Sequence, residues 1–550
     1  MSEQEKRREK QPKGSETAKP AGGAVLPRER RLRLLDYVIA FIILAAVPAG
    51  SLHTIRSIGP SWDEPVYFRE VKNYAAWFKS LGQGQAFSRA GRESAFTLGL
   101  ETDVSPSLAK LLAAGTYVSL KNYLGEFRAY RFYAPILFGF LLVLVYLRAG
   151  AAWGRMAGIA AVCCALFMPR LFTHGHIGAT ETPLCFFWFL TALIFEASLK
   201  RRWLMPLAGI SCGLAMSVKF SGFVLPIPLL AWALSYHRKK VFQPRLFFFL
   251  LGPLVFILLN PPIWDHPVRG LLEFIKFSAF RRGEFLIPLL FLGKYYEYSG
   301  PFYYAPFMVL VTAPVITLLL FLLGIARAAA NRFQDQLAGA ALIHFCFFVL
   351  MMMAPNAPNY DGVRLFLPAF VFLALLAGFG FGKIADWLAA KVRVGPGLVK
   401  AGLVVALTML SAYPLARVYP FGLEYYNELI GGVAGARRHG METTYWWTAV
   451  NPEALARINQ ALPPGSSLVC WPVRAKICEF DQEMGWLRKD LRISDQTDFD
   501  HLLMLSRPYA EFEPFFASMG MRRSELEIVA QQDLDGVPLW VLYKNPHPRY

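Results

Sequence analysis

Two adjacent carboxylates follow the first apolar segment of the chain, in the sequence Ser61-Trp62-Asp63-Glu64-Pro65. A carboxylate just beyond an apolar segment can act as a general base that removes a proton from an acceptor hydroxyl or amine. An acid before proline can equally cap the N-terminus of a helix, where it interacts favourably with the helix dipole. The two interpretations are compatible, because a capping hydrogen bond would also fix the position of Asp63. Asp63 and Glu64 are therefore the first candidate catalytic residues.

A second group of polar residues, His174, His176 and Glu181, lies where one apolar segment gives way to the next. Imidazole and carboxylate side chains at such a joint could bind a divalent metal. They could equally hydrogen-bond a polar substrate, or form an ordinary interfacial loop in which Glu181 caps the following helix. Metal binding is the least favoured of these interpretations. The sequence therefore indicates substrate-binding or loop residues here, and no certain cofactor.

Two cations, Lys219 and Arg364, each stand at the end of an apolar segment. Long cationic side chains at such positions usually extend along the segment and place their charge in the polar interface. The neighbouring loops on this side contain few other cations, so the same groups could hold an anionic phosphate. The planar guanidinium of Arg364 suits phosphate oxygens well. The chain contains no P-loop and no GxSxG motif in a convincing context.

The elements that must position these side chains are long apolar segments. Hydrophobic residues make up 55% of the 550-residue chain, and charged residues only 17%. Soluble proteins carry about 25% charged residues, so this chain lacks the polar surface of several soluble domains. Its net charge of +18 would suit nucleic-acid binding, but many lysines and arginines flank apolar segments, as in membrane proteins. The composition predicts a polytopic α-helical membrane protein and excludes nucleic acid as a partner.

About eleven transmembrane helices are predicted, because a spanning helix needs about 20 apolar residues, with a range of about 17–25. The apolar segments are 35–52, 132–147, 156–172, 183–199, 203–218, 222–236, 246–263, 302–325, 337–353, 365–381 and 398–413. Connecting loops rich in lysine and arginine alternate along the chain with loops that contain few cations. The positive-inside rule then places the N-terminus in the cytoplasm and, after eleven spans, the C-terminus outside.

Three regions follow from this topology: a disordered basic cytoplasmic tail at 1–34, a transmembrane domain at 35–413, and a small extracytoplasmic α/β domain at 414–550. The transmembrane domain includes an outward loop at 53–131, with helices at the membrane interface, and another at 263–302. In the C-terminal domain we predict a helix at 453–461, a strand at 467–471, and a hairpin of 525–530 with 538–543. Cys470 and Cys478 could pair there in an oxidising compartment, or could remain two buried thiols.

In combination, these motifs resemble the C-type (GT-C) membrane glycosyltransferases, specifically glycosyltransferase family 39. That family includes protein O-mannosyltransferases and bacterial aminoarabinose transferases. The resemblance runs over residues 55–447 and rests on Asp63-Glu64, Ser105-Pro106-Ser107-Leu108-Ala109-Lys110, Pro169-Arg170, His174-Gly175-His176-Ile177, Thr180-Glu181-Thr182-Pro183, Gly213 to Lys219, Tyr303-Tyr304, Arg364 to Pro368, and Tyr425 to Gly432. Two positions differ from the usual family pattern, because Ser107 replaces a proline and Glu181 replaces an aspartate.

The resemblance implies an inverting glycosyltransferase that uses a polyprenyl-phosphate-linked sugar as donor. Lys219 and Arg364 would hold the donor phosphate, and Asp63, with Glu64 beside it, would deprotonate a lipid, glycan or protein acceptor. The remaining candidates would bind substrate: His174, His176 and Glu181. The expected location is a bacterial inner membrane, with membrane lipids as partners of the enzyme. Its active site would face the periplasm. Two other functions stay open, a transporter or flippase of lipid-linked saccharide and a non-catalytic envelope scaffold.

Overall fold

The structure is a computed structural model that describes residues 30–102, 105–238, 245–279, 287–393, 395–472, 475–494, 499–507, 516–517 and 522–546. Residues 1–29, which form most of the predicted disordered tail, lie outside the described residues. The described residues form a large helical region followed by a small mixed sheet.

The helical region contains nineteen α helices among the described residues, and each of the eleven predicted apolar segments coincides with at least one of them. The helices are α1 (Leu34–Thr54), α2 (Glu64–Ser80), α3 (Arg89–Thr102), α4 (Leu108–Leu124), α5 (Glu126–Arg131), α6 (Tyr133–Trp153), α7 (Arg155–Leu166), α8 (Pro169–His174), α9 (Glu181–Lys200), α10 (Met205–Met216), α11 (Pro226–Tyr236), α12 (Arg245–Leu258), α13 (Pro267–Ala279), α14 (Tyr304–Thr312), α15 (Val315–Ala330), α16 (Gln336–Met353), α17 (Pro368–Lys391), α18 (Pro396–Val418) and α19 (Gly432–Arg438). Helices α2 to α5 occupy the predicted outward loop at 53–131.

Fewer helices are long enough to cross a membrane than the eleven spans predicted. In the described ranges six candidates pass by length and composition, namely α1, the continuous pair α5–α6, α9, α16, α17 and α18. The pair α14 and α15 would make a seventh, although it is bent by 118°. Helices such as α7 and α10 have only 12 residues each. Such a helix is about 18 Å long and does not by itself cross a hydrocarbon core of about 30 Å. The count of eleven is therefore not confirmed.

Helix α17 lies at the centre of the helical region and packs against α7, α15 and α16. Its contact with α15 depends on two glycines. A Cβ atom at Gly380 would lie 2.2 Å from the Leu320 carbonyl oxygen, and one at Gly324 would lie 2.2 Å from the Leu376 carbonyl oxygen. Small residues let helix backbones approach this closely. The middle of α17 is thereby held close to α15.

The C-terminal region contains a five-stranded mixed sheet in the order β4-β3-β5-β7-β6. A separate antiparallel hairpin of β1 (Leu289–Phe291) and β2 (Lys294–Tyr296) precedes it. The strands of the mixed sheet are β3 (Ser467–Trp471), β4 (Arg492–Ile493), β5 (His501–Leu505), β6 (Glu527–Leu534) and β7 (Val537–Lys544). Strand β3 runs parallel to β4 and β5, and β7 runs antiparallel to β5 and β6. Two helices, α20 (Pro452–Ala461) and α21 (Lys476–Glu483), pack on one face of the sheet.

Several predicted elements of this region are present. The helix expected at 453–461 is α20, the strand expected at 467–471 is β3, and the expected hairpin is the longer pair of β6 and β7. Cys470 on β3 and Cys478 on α21 form a disulfide. Of the two alternatives for these cysteines, the structure therefore shows the paired one.

Helix α21 connects the sheet to α2, the helix that begins beside Asp63. The ring centroids of Phe480 and Phe68 lie 5.7 Å apart, and Lys72 Nζ lies 2.9 Å from Glu483 Oε1. The C-terminal sheet and the start of the helical region are therefore packed together by both apolar and charged contacts.

Candidate active site

Asp63 lies immediately before α2, and its side chain makes no capping hydrogen bond to that helix. Its Oδ2 instead accepts hydrogen bonds from Arg364 Nη2 at 2.6 Å and from Trp446 Nε1 at 3.1 Å. The interpretation of Asp63 as a helix cap is therefore wrong, because the carboxylate points to residues that are distant in the sequence. Its side chain is 28% exposed. It is thus both held in place and accessible.

Arg364 connects three carboxylates at the site. It begins a short 3-10 helix just before α17. Besides Asp63, its guanidinium contacts Glu181 Oε1 through Nε at 2.9 Å and Asp361 Oδ2 through Nη1 at 3.2 Å. The guanidinium carbon also lies 3.9 Å from the ring centroid of Trp446. Burial lowers the pKa of Arg364, but the nearby carboxylates outweigh it and hold that pKa well above its ordinary value, so the residue stays charged.

Lys219 reaches the same place from another part of the chain. It lies between α10 and a short 3-10 helix at Phe220–Val224, and its Nζ donates to Glu181 Oε1 at 2.8 Å. Burial lowers the pKa of Lys219, and the carboxylate of Glu181 opposes that shift. Glu181 is the first residue of α9. Asp63, Arg364, Glu181 and Lys219 therefore form one continuous set of charges, which we call the charge cluster.

Glu64 lies outside the charge cluster, although it is adjacent to Asp63 in the sequence. Its two oxygens accept from Arg131 Nε at 2.7 Å and Nη2 at 2.6 Å, and from the backbone N–H groups of Ser61 and Gly178, both at 2.8 Å. Neither Glu64 nor Arg131 has any exposed side-chain surface. This arrangement fixes the loop before α2 and leaves the Glu64 carboxylate out of reach of a substrate.

The two histidines occupy different surroundings. His174 lies beside the charge cluster, with its ring centroid 5.5 Å from that of Trp446. His176 points elsewhere, because its Nδ1 donates to the Phe172 carbonyl oxygen at 2.8 Å and its Nε2 contacts Thr54 Oγ1 at 2.8 Å. Burial lowers the pKa of His174 to about 3 and that of His176 to about 4. Both rings are therefore neutral near pH 7.

The described residues contain no group of three or more His, Cys, Asp or Glu side chains that could hold a metal ion. Of the candidates for such a site, Glu181 is engaged with Lys219 and Arg364, and His176 with Thr54 and Phe172. The geometry therefore offers hydrogen-bonding and charged groups at this place and no set of metal ligands.

Sequence reasoning missed Asp361 and Trp446, which complete the surroundings of Arg364. Both have non-glycine backbones in the left-handed region, with φ of 56° and 58°, and Trp447 follows with 68°. Such conformations cost free energy and cluster at functional sites. The available signal was the run Tyr445-Trp446-Trp447, an unusual concentration of aromatic rings in a polar part of the chain.

Side-chain exposure separates the acids of the site. Asp63 is 28% exposed, whereas Glu181 and Asp361 are each 1% exposed. Of the carboxylates that contact Arg364, Asp63 is thus the one that an acceptor could reach. Lys219 and Arg364 both contact Oε1 of Glu181, and together they could hold an anionic group. The arrangement combines an accessible base with a pair of cations.

Comparisons with known proteins concern the family resemblance and the fold of the chain. Residues 105–264 match the family described as dolichyl-phosphate-mannose-protein mannosyltransferase. ArnT from Cupriavidus metallidurans in the apo state is 15% identical to this chain and superposes with a TM-score of 0.50. The match covers 93% of this chain and 97% of the ArnT chain. The same protein bound to undecaprenyl phosphate gives 16%, the same coverages and a TM-score of 0.47.

An archaeal oligosaccharyltransferase, AglB from Archaeoglobus fulgidus in complex with an inhibitory peptide and a dolichol-phosphate, is also similar. It is 10% identical to this chain, with a TM-score of 0.47. The match covers 88% of this chain and 71% of the AglB chain. No curated protein sequence matches the chain. The apo ArnT structure spans nearly the whole chain and shows a similar fold. The apolar helices agree with an integral membrane protein. The family match and the shared fold confirm the predicted resemblance to the C-type membrane glycosyltransferases.

Proposed function

We propose that the protein transfers a sugar from a polyprenyl-phosphate donor to an acceptor at the extracytoplasmic face of the membrane, with inversion at the anomeric carbon. The observation that carries this proposal is the charge cluster. An accessible carboxylate, Asp63, and two cations, Lys219 and Arg364, meet there although they come from three separate parts of the chain. A donor phosphate requires cations to bind it, and an acceptor hydroxyl or amine requires a base to remove its proton.

Lys219 and Arg364 bind the donor phosphate. Glu181 lies between them and holds both cations at 2.8 and 2.9 Å from one of its oxygens. This contact keeps two positive side chains together that would otherwise repel each other. As the bond between the anomeric carbon and the phosphate oxygen breaks, negative charge grows on the departing polyprenyl phosphate. Fixed cations at that position stabilise the transition state more than the ground state.

Asp63 accepts the proton of the acceptor. The acceptor oxygen or nitrogen then attacks the anomeric carbon from the side opposite the phosphate, and the bonding electron pair leaves with the polyprenyl phosphate. The ion pair with Arg364 favours the ionised carboxylate, which is the form that a base requires. Glu64 and Arg131 support this step by fixing the loop that carries Asp63, and His174 contributes a neutral ring beside the acceptor site.

Competition for Arg364 links donor binding to the base. In this structure Arg364 Nη2 is bound to Asp63 Oδ2 at 2.6 Å. A phosphate that binds the same guanidinium weakens its contact with Asp63, and a carboxylate freed from a cation is the stronger base. Donor binding thereby prepares Asp63 for proton removal. Trp446 Nε1, which also donates to Asp63, keeps the carboxylate in place during the exchange.

A transporter or flippase of lipid-linked saccharide is less favoured. Transporters place their polar sites near the middle of the membrane, often at broken helices. Here Glu181 begins α9, Lys219 follows α10 and Arg364 precedes α17, so the charges gather at helix ends. A non-catalytic envelope scaffold would not require an accessible carboxylate held by an arginine.

The deciding experiment follows a radiolabelled sugar on undecaprenyl phosphate in proteoliposomes that contain the full chain and envelope extract as acceptor source. We expect label to pass covalently to an acceptor with the native chain and not with Asp63→Asn. Movement of label across the bilayer without a new covalent linkage would instead establish a flippase. Neither movement nor transfer with a panel of hexosyl and aminopentosyl donors would favour the scaffold.

The side of the membrane needs its own test, because the proposed periplasmic location rests on the distribution of lysine and arginine. A reporter enzyme that is active only in the periplasm, fused after Tyr550, should be active in a bacterial host. A matching reporter that requires the cytoplasm should be silent at the same position. The reverse pattern would place the C-terminal sheet in the cytoplasm and would contradict the proposed topology.

A further inference from the structure

We propose that Arg507, two residues after β5 of the C-terminal sheet, is a positioning residue that holds Asp361 and, through it, Arg364 in the charge cluster. The inference rests on the proposed function for its effect on turnover, although its structural part can be tested without any sugar transfer. It assigns the C-terminal sheet a direct part in building the active site. The family match ends at residue 264, far from this residue in the chain.

Arg507 is fully buried, and its guanidinium contacts two acids and an aromatic ring. Its Nη2 lies 3.3 Å from Asp361 Oδ1, and its Nε lies 3.4 Å from Glu442 Oε1. Its guanidinium carbon is 4.9 Å from the ring centroid of Trp62, the residue immediately before Asp63. The guanidinium therefore sits between the loop that carries Asp63 and the acid that contacts Arg364.

Asp361 shares its two oxygens between two arginines. Oδ1 accepts from Arg507, and Oδ2 accepts from Arg364 at 3.2 Å. A carboxylate held on both sides has little freedom to rotate, so the direction of its contact with Arg364 is fixed. Because Asp361 adopts φ of 56°, its backbone is strained, and the buried ion pairs hold the residue in that conformation.

The backbone beside Arg507 is tied to the same site. Thr444 Oγ1 donates to the Ser506 carbonyl oxygen at 3.0 Å, and the Trp62 N–H donates to the Trp446 carbonyl oxygen at 3.3 Å. The segment around Trp446 therefore lies between the end of β5 and the loop before α2. Movement of β5 would shift the indole N–H that binds Asp63 as well as the carboxylate that binds Arg364.

The structural test uses the full-length chain labelled with 5-fluorotryptophan, with the Trp446 resonance assigned by its loss in Trp446→Phe. That resonance reports on Arg364, whose guanidinium lies over the indole ring. We expect it to shift in Arg507→Met, and to shift in the same direction in Asp361→Asn. Arg507→Lys should restore part of the native position, because an ammonium keeps the charge but loses the fixed fork of the guanidinium.

A matched control separates positioning from general stability. Arg488 also belongs to the C-terminal region, where it donates to the carbonyl oxygens of Asn459 at 2.8 Å and Leu462 at 3.1 Å. Arg488→Met removes these hydrogen bonds. None of the three residues they join belongs to the charge cluster. This variant should lower the unfolding temperature but leave both the Trp446 resonance and the turnover per folded molecule unchanged.

The functional test is a double-mutant comparison of turnover. We expect Arg507→Met to reduce turnover by about 10²-fold, since small misplacements of reacting groups have effects of that size. The double variant Arg507→Met/Asp361→Asn should be no worse than the more severe single variant, because residues that act through one another are not additive. Independent, additive losses would overturn the positioning role.

The two proposals fail in different ways. A Trp446 resonance that does not move in Arg507→Met overturns the role of Arg507, whether or not the native chain transfers sugar. A resonance that moves as expected, in a native chain that transfers no sugar, supports the role of Arg507 and counts against the proposed enzyme. Equal shifts in Arg507→Met and the Arg488→Met control would mean that the sheet acts only on overall stability, and would also overturn it.

Discussion

Two neighbouring residues of one sequence, Asp63 and Glu64, end in opposite kinds of surroundings. Glu64 is fully buried, and its oxygens accept two hydrogen bonds from Arg131 and two from backbone N–H groups. Asp63 is 28% exposed, and its Oδ2 is held by Arg364 and Trp446. A buried carboxylate that accepts four hydrogen bonds makes its loop rigid, whereas a partly exposed carboxylate can exchange its hydrogen-bond partners for a substrate.

The difference shows how a site can be both rigid and reactive. The Glu64–Arg131 pair also includes hydrogen bonds from Arg131 to the carbonyl oxygens of Ile55, Ile58 and Gly59. The pair therefore holds the loop before α2 in place, so Asp63 is positioned without many hydrogen bonds from its own side chain. In the proposed mechanism the less constrained carboxylate, Asp63, removes the proton, and Glu64 holds the loop in place.

The largest effect is expected for Asp63→Asn, compared with Glu64→Gln. A positioned general base contributes about 10²–10⁴-fold to the rate, so Asp63→Asn should reduce turnover by that order, with donor binding retained. Asn keeps nearly the size of Asp and can still accept hydrogen bonds from Arg364 and Trp446, so the fold should survive. The measurement is single-turnover transfer of label by purified protein. Near-native transfer by Asp63→Asn would remove Asp63 from the role of base.

Glu64→Gln is the matched control for that measurement. It should reduce turnover much less than Asp63→Asn, because the Glu64 carboxylate has no exposed surface and acts through the loop. Its main effect should be on the unfolding temperature. If Glu64→Gln lost turnover as fully as Asp63→Asn while remaining folded, the proposed division between the two acids would be wrong.

Arg131→Met should have the largest effect on stability. Removing one partner of a buried ion pair costs about 3–5 kcal/mol, because the other charge remains buried and unpaired. We therefore expect a large drop in the unfolding temperature and in the yield of folded protein. The double variant Arg131→Met/Glu64→Gln should recover part of the loss, since it leaves no net charge in the pocket. A double variant as unstable as the sum of both single variants would show that Glu64 and Arg131 act independently.

A smaller effect is expected for the cations that contact Glu181. Hydrogen bonds to charged groups contribute about 1.5–3 kcal/mol, so Lys219→Met should weaken binding of undecaprenyl phosphate about ten- to hundredfold. Arg364→Gln should do the same and should also reduce turnover, because the proposed mechanism uses the Arg364 guanidinium to stabilise the charge that grows on the departing phosphate. The measurement is binding of the lipid phosphate by calorimetry or microscale thermophoresis in detergent.

The control for donor binding is Arg148→Gln. Arg148 also pairs with a carboxylate, with its Nη2 2.6 Å from Glu196 Oε1, but it lies at the other end of α6 from the joint with α5. Its loss should leave lipid-phosphate affinity unchanged. Unchanged affinity in both Lys219→Met and Arg364→Gln would show that these side chains only extend to the polar interface.

Much of the candidate site was predictable from residue types at the ends of apolar segments. Asp63, Glu181, Lys219 and Arg364 were all singled out in this way, and the structure brings them together. Polar groups at helix ends on one side of a membrane share a thin layer, so their convergence follows from topology. The roles within that layer did not follow, because hydrogen-bond partners such as Arg131 for Glu64 depend on packing between distant segments.

The number of membrane spans could not be predicted for a related reason. Hydrophobicity locates apolar helices but not their depth, and short helices such as α7 and α10 are as apolar as the long ones. The proposed roles of Asp361 and Arg507 were also missed, since each is a single charged residue in an unremarkable local sequence. Their importance arises only when the C-terminal sheet packs against the loop before α2.

The smallest effect on turnover is expected for the histidines, although pH should reveal them in stability. Burial lowers the pKa of His174 from 6.5 to about 3, so the folded protein keeps this ring neutral while the unfolded chain takes up a proton below pH 6.5. The contribution of His174 to stability is therefore constant above pH 6.5 and falls as the pH decreases from 6.5 towards 3. Between pH 6.5 and 5 the loss is about 2 kcal/mol for one such histidine.

His174→Asn should remove that part of the acid sensitivity, so its unfolding temperature should fall less than that of the native chain between pH 7 and pH 5. The turnover of the native chain should show no titration near pH 6.5 that His174→Asn abolishes, because the ring beside Trp446 is neutral throughout this range. The measurements are unfolding temperatures and single-turnover rates at matched pH values. A rate that changes with a midpoint near 6.5 in the native chain, and loses this dependence in His174→Asn, would make His174 a proton-transfer group and would end the assignment of proton removal to Asp63 alone.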